Sequence, residues 1–92
     1  MNTDILQLKS KIAGLDREIN LLRIEGKNKV DIIRSKLSTL NLNDDEDVSD
    51  LEIDSAAVEM TRLAEISDKL KEKKEQLRLK ERDLKKIQDS LR

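Results

Sequence analysis

The chain has 92 residues, with 19 Lys and Arg against 20 Asp and Glu, and it contains no Cys, His, Pro, Phe, Tyr or Trp. This length holds one small domain, and without aromatic side chains a thick globular core is not expected. The missing Cys and His exclude disulfides, thiol chemistry, the common zinc sites and a Ser-His-Asp triad, so we expect no enzyme, no metal site and no cofactor.

The first predicted element is a helix over residues 4–40 with a periodic apolar stripe. Its apolar residues recur at alternating spacings of three and four, the period of a coiled-coil seam, at Ile5, Leu8, Ile12, Leu15, Ile19 and Leu22. Past this point the apolar series passes Gly26 and continues at Val30, Ile33, Leu37 and Leu40. Two spacings of four then stand together, which predicts a stutter. Gly26 would lie on the seam, where it either lets a partner helix approach closely or weakens the helix by about 1 kcal/mol relative to Ala.

An acidic loop over residues 41–48 is predicted to connect this helix to a second one. The sequence Ser49-Asp50-Leu51-Glu52 fits a capping box, in which the Ser49 hydroxyl accepts from the amide of residue 52 and the Glu52 side chain reaches back to the amide of residue 49. Val48 and Ile53 stand at the positions of a hydrophobic staple. The second helix is therefore predicted to begin near Ser49, after a loop short enough to join antiparallel helices.

The second predicted helix covers residues 49–91 and has leucine at every seventh position. These leucines are Leu63, Leu70, Leu77, Leu84 and Leu91, and the other seam position falls at Ile66, Lys73, Lys80 and Ile87. The lysine stems can lie along apolar surface while their ammonium groups reach water. Two arms of nearly equal length predict an all-α fold in a single domain over residues 1–92, a long antiparallel helical hairpin or two-helix coiled coil.

The charges are segregated along the chain. Residues 1–40 hold 8 basic and 5 acidic side chains, residues 41–59 hold 0 and 8, and residues 60–92 hold 11 and 7. The net charges of the three segments are therefore +3, −8 and +4. A purely acidic segment is expected to stay solvated and to separate the two helices.

Further apolar residues lie off the predicted seam, at Leu6, Leu21, Ile24, Ile32, Val58, Ala64 and Leu79. A lone two-helix hairpin buries one stripe per helix and is marginally stable. We therefore expect a homodimer in which two hairpins form a four-helix bundle, or a complex with another protein through the same faces. Antiparallel docking is favoured because it sets each acidic loop beside the basic arm ends of the other hairpin, whereas parallel docking would bring both acidic loops together.

These features favour a non-enzymatic interaction, adaptor or structural protein that acts through helix packing. Nucleic acid is the weaker partner class, because the basic residues are interleaved with acids and no aromatic side chain can stack on bases. The N-terminus has no signal-peptide pattern and no apolar run could span a bilayer, so we expect a soluble cytoplasmic protein without a membrane partner.

The acidic loop supports two alternative functions, and the first is calcium-dependent regulation. Side chains at loop positions 1, 3, 5, 7, 9 and 12 resemble those of an EF-hand calcium loop, and they are Asn41, Asn43, Asp45, Asp47, Ser49 and Glu52. Position 1 is Asn instead of Asp, and Glu46 stands where a Gly makes the turn. Because the capping box and ordinary loop formers explain the same residues, we expect no metal there.

The second alternative function rests on the overall shape and charge of the predicted hairpin. A helical hairpin with basic arms and an acidic tip is similar to bacterial factors of the Gre and DksA type, which insert such a hairpin into the secondary channel of RNA polymerase. A Gre tip reads Asp-Leu-x-Glu-Asn-Ala, whereas residues 50–55 read Asp-Leu-Glu-Ile-Asp-Ser with the second acidic residue displaced. Of the two tip Asp residues and one Ala of DksA, only Asp54 and Ala56 are matched, and the globular second domain of both families is missing. The resemblance implies a regulatory factor acting through its tip.

Overall fold

The computed structural model describes residues 2–91 and consists of two long helices joined at one end. Helix α1 spans Asn2–Ser38, helix α2 spans Ile53–Ser90, and a short 3-10 helix, Val48–Asp50, lies between them. The helices pack along their length in a hairpin of 75 × 15 × 14 Å, and residues 2–91 contain no strand. The predicted all-α helical hairpin is confirmed.

The end of α1 is stabilised by side chains and not by a glycine. The Ser38 and Thr39 hydroxyls each donate to a carbonyl oxygen three residues earlier, at 2.6 Å, and the Asn41 amide donates to the Ser38 carbonyl at 2.9 Å. Lys36 adds a positive charge in the last turn, where the helix dipole favours it. Short polar side chains thus satisfy carbonyl groups that a helix end leaves without partners, and α1 ends at Ser38, where we had predicted residue 40.

The start of α2 differs from the prediction. The structure places Glu52 at the N-cap with no side-chain capping bond, so the proposed capping box of Ser49 and Glu52 is wrong. Ser49 instead donates its backbone N–H (2.8 Å) and its hydroxyl to Asp47 Oδ1. Asp47 therefore caps the 3-10 turn, and after a bend the helix begins at Ile53, four residues later than predicted. Val48 and Ile53, the proposed staple, are both exposed.

The core is a thin seam between the two helices. Four apolar side chains are buried along it, namely Ile19, Ile33, Ala56 and Ile66. Most of the other predicted seam residues are half-buried, namely Ile5, Leu8, Ile12, Leu15, Leu22, Val30, Leu63, Leu70, Leu77, Leu84 and Ile87. Lys73 and Lys80 are also half-buried. Leu91, just past the end of α2, is 47% exposed and does not belong to the seam.

The seam of α1 runs without the predicted stutter. Continuing the alternating spacing beyond Leu22 leads to Gly26, Lys29, Ile33, Lys36 and Leu40, and all five are buried or half-buried. Leu37, which the stutter would place in the seam, is 47% exposed. The helix keeps one heptad phase because the stems of Lys29 and Lys36 fill two seam positions while their ammonium groups find polar partners on α2.

Neither long helix has the length and apolar content that would let it cross a membrane, over the residues that the structure describes.

Candidate functional site

A buried carboxylate lies in the seam near the loop end of the hairpin. Glu59 on α2 is 9% exposed, and its Oε2 accepts a hydrogen bond from Lys29 Nζ on α1 at 2.9 Å. Arg62, one turn further along α2, donates to the other carboxylate oxygen at 3.1 Å. The Lys29 ammonium lowers the pKa of Glu59 below its ordinary value, and Arg62 acts in the same direction. The group is therefore a charged, paired carboxylate that links the two helices.

Sequence reasoning did not single out this pair, although a signal was present. Glu59 stands seven residues before Ile66 and so continues the second seam position of α2 by one heptad. Lys29 stands seven residues after Leu22 and does the same on α1. Extending both heptads regardless of polarity would have placed the two charges in the seam.

Two more polar contacts join the helices and define their register. Lys73 Nζ on α2 lies 2.9 Å from Glu18 Oε2 on α1, and Lys36 donates to the Ser55 hydroxyl. Glu18 raises the pKa of Lys73 by hydrogen bonding and by its charge. At Gly26 an added Cβ would lie 3.6 Å from Ile66 Cγ2, so the backbone of α1 runs directly beside this core residue. Residues closer to the loop on α1 therefore contact residues closer to the loop on α2, as an antiparallel pair requires.

A groove of about 520 Å³ runs between the helices on one flat side of the hairpin. Its floor is apolar and is formed by Gly26, Val30, Leu63 and Leu70. Its α1 rim carries Arg23, Lys27 and Arg34, with Asp31 as the single acidic residue. Within residues 2–91 none of the three rim cations forms an ion pair. We call these eight residues the basic groove.

Exposed apolar side chains continue the floor of the basic groove toward the loop. Met60 is 55% exposed and stands three residues before Leu63, which makes the two neighbours on the surface of α2. Leu37 is 47% exposed and stands seven residues after Val30 of the groove floor, on the same side of α1. We call the basic groove together with Leu37 and Met60 the flat face.

The off-seam apolar residues of α1 lie elsewhere. Leu21, Ile24 and Ile32 are 61%, 58% and 39% exposed. At about 100° per residue Leu21 and Ile24 fall roughly 120–180° around α1 from the seam, on the side that points away from α2. Ile32 is turned only about 70° from the local seam, on the flank opposite the basic groove. Of the remaining off-seam residues, Leu6, Val58 and Ala64 are exposed and Leu79 is half-buried.

The loop end combines negative charge with exposed apolar side chains. Residues 41–54, here called the acidic tip, contain seven Asp or Glu and neither Lys nor Arg. Leu42, Val48 and Ile53 in the same segment are 49%, 65% and 48% exposed. The acidic tip is therefore both anionic and apolar, whereas the basic groove is both cationic and apolar.

The acidic tip is held by hydrogen bonds within the loop. Asn43 accepts at its carbonyl from the Glu46 amide at 3.0 Å, and its side-chain amide donates to the Glu46 carboxylate. Ser49 donates to Asp47, which lowers the pKa of Asp47. In the part of the chain that the structure describes, no three or more His, Cys, Asp or Glu side chains are grouped so that they could hold a metal ion. These bonds account for the loop conformation around positions that resemble an EF-hand.

A comparison with protein-family models, curated proteins and solved structures finds no match to this chain.

Proposed function

We propose that this chain is a non-enzymatic helix-packing protein that associates with a second copy of itself through the flat face. The observation that carries the proposal is the imbalance between buried and exposed apolar side chains. Four apolar residues are buried, whereas eleven large hydrophobic side chains are exposed among the residues that the structure describes. Lys29, Lys36, Lys73 and Lys80 further thin the seam, so one hairpin supplies little of the core that a stable domain of this size needs.

The flat face suits this association better than the outer side of α1. In a four-helix bundle each helix contacts two neighbours, so the second contact surface is turned roughly 90° from the first. Met60 flanks the seam residue Leu63 and meets this requirement. Leu21 and Ile24, on which the dimer predicted from the sequence partly rested, point away from α2. Packing of two hairpins through their flat faces would leave both side chains exposed to solvent.

Light scattering coupled to size exclusion tests the proposal. The expected mass is twice that of the 10.6 kDa chain at micromolar concentration. The melting temperature should also rise with protein concentration, because association stabilises the folded state by mass action. A mass of one chain at high micromolar concentration, with a melting temperature independent of concentration, would contradict self-association.

A further inference from the structure

We propose that the basic groove of one hairpin is occupied by the acidic tip of a second copy of this chain. This inference rests on the proposed self-association and specifies which surfaces meet. The contact is reciprocal, because each copy supplies one groove and one tip.

The first step is the chemistry of the groove. Its apolar floor favours an apolar occupant, because burial of Val30 and Leu63 removes their remaining exposed surface from water. Its rim carries three cations against one carboxylate, so the occupant must bring negative charge. Within residues 2–91 these cations have no ion-pair partner, and an acidic occupant would be the first to neutralise them.

The second step is the occupant. The acidic tip has seven carboxylates and no cation, and it exposes Leu42, Val48 and Ile53 beside them. It therefore offers both properties that the groove requires. A lipid surface or a nucleic acid would bring phosphates to the cations, but those phosphates would also face the acidic tip on the same molecule.

The third step is geometry. The tip cannot fold back into the groove of its own hairpin, because Gly26 lies twelve residues before the end of α1, about 18 Å along a continuous helix. Two hairpins placed antiparallel with only their loop ends overlapping bring each tip to the groove of the other. The arrangement has two-fold symmetry, so one contact made twice closes the dimer. Leu37 and Met60 lie between tip and groove and would be covered in the overlap.

The staggered dimer has a measurable length. One hairpin is 75 Å long. Two hairpins that share only the segment between tip and Gly26 form a particle on the order of 120 Å long, whereas two fully overlapping hairpins stay near the length of one. Small-angle X-ray scattering distinguishes these two maximum dimensions.

Charge reversal on each side tests the contact itself. The groove variant Arg23→Glu with Lys27→Glu and the tip variant Asp44→Lys with Asp45→Lys should each weaken the homodimer at least tenfold at low salt. An equimolar mixture of the two variants should recover a dimer, because one contact then sets the introduced lysines of the tip against the introduced glutamates of the groove, and the other contact keeps the original charges on both sides. The matched control Lys85→Glu with Lys86→Glu reverses two charges near the open end of α2 and should leave the dissociation constant unchanged.

The outcomes separate the inference from the proposed function. A monomeric parent chain would overturn both. A dimeric parent that resists both reversals, or that is no longer than a single hairpin, would overturn the tip-in-groove contact alone. If the groove reversal lowers the helix content by circular dichroism, the neutral variant Arg23→Gln with Lys27→Gln replaces it and should still weaken the dimer.

Discussion

Among the residues that the structure describes, Glu59 is the one charged side chain that is buried. Its carboxylate is buried between the helices and paired with Lys29 and Arg62, which lowers its pKa. A carboxylate with a lowered pKa in the folded state contributes stability above its unfolded pKa. That stability is lost as the pH falls through the folded value, because the unfolded chain then binds the proton more readily.

We expect Glu59→Gln to lower the melting temperature at pH 7, because Lys29 loses its charged partner. The difference between the parent chain and the variant should shrink as the pH falls from the ordinary Glu value of 4.5 through the lowered folded value. Thermal unfolding at pH 7 and pH 3 measures both differences. A gap that stays constant over this range would show that Glu59 is not stabilised as a charged group.

Lys73 and Lys80 occupy half-buried seam positions of α2. Lys80→Leu should stabilise the hairpin by about 1 kcal/mol, because a leucine would bury more apolar surface at this half-buried seam position. Lys80 lines a smaller groove between the helices, to which Lys11, Lys73 and Glu18 also contribute, and it forms no ion pair within residues 2–91. Lys73→Leu should gain less, since it also removes the ion pair with Glu18. Urea titration of both variants measures the order. A larger gain at Lys73 would contradict the placement of its ammonium beside Glu18.

The buried positions of the two helices all lie in the seam between α1 and α2. Ile66 is 5% exposed and lies against the backbone of α1 at Gly26. We expect Ile66→Ala to destabilise the hairpin by about 2–4 kcal/mol, because it removes buried methyl groups and leaves a cavity. Leu91→Ala, at a 47% exposed position, is the matched control and should change stability by less than about 0.5 kcal/mol. Equal losses measured by denaturant unfolding would be incompatible with the observed seam.

The helices themselves could be predicted from the sequence because the apolar spacing of three and four persists over both arms. The heptad phase of α1 beyond Leu22 could not be predicted in this way. The apolar residues alone place Leu37 in the seam, whereas the fold places Lys29 and Lys36 there. Whether a lysine belongs to a seam depends on what stands opposite, here Glu59 and Ser55, and that requires the register between the helices.

Local competition explains the missed start of α2. Ser49 and Glu52 have the spacing of a capping box, but in the structure the Ser49 hydroxyl and backbone amide both donate to Asp47. Asp is as good a cap as Ser, so the pattern alone favoured neither position. The basic groove could not be predicted from the sequence either, because it requires that Gly26 of α1 lie at the level of Leu63 and Leu70 of α2.

For the molecule as a whole, the segregated charges govern association. Raising the salt concentration from 50 to 500 mM should weaken the homodimer, because it screens the attraction between the acidic tip of one copy and the basic groove of the other. Sedimentation equilibrium at both concentrations measures the change in the dissociation constant. Apolar contacts at Met60 and Leu37 should keep the loss modest. A dimer that strengthens with salt would contradict electrostatic pairing of these surfaces.

The unbroken heptad phase has a consequence for the length of the rod. Since neither arm contains a stutter, every seven residues removed from α1 together with the seven opposite on α2 return the same seam to the same register. A paired deletion between the open end and the basic groove shortens the hairpin by about 10 Å and leaves the loop and the basic groove in place. Deleting seven residues from one arm alone would instead leave a matching stretch of the other arm without a partner. The distance from the open end of the hairpin to its acidic tip can therefore be changed in steps of one heptad without altering the packing of the seam.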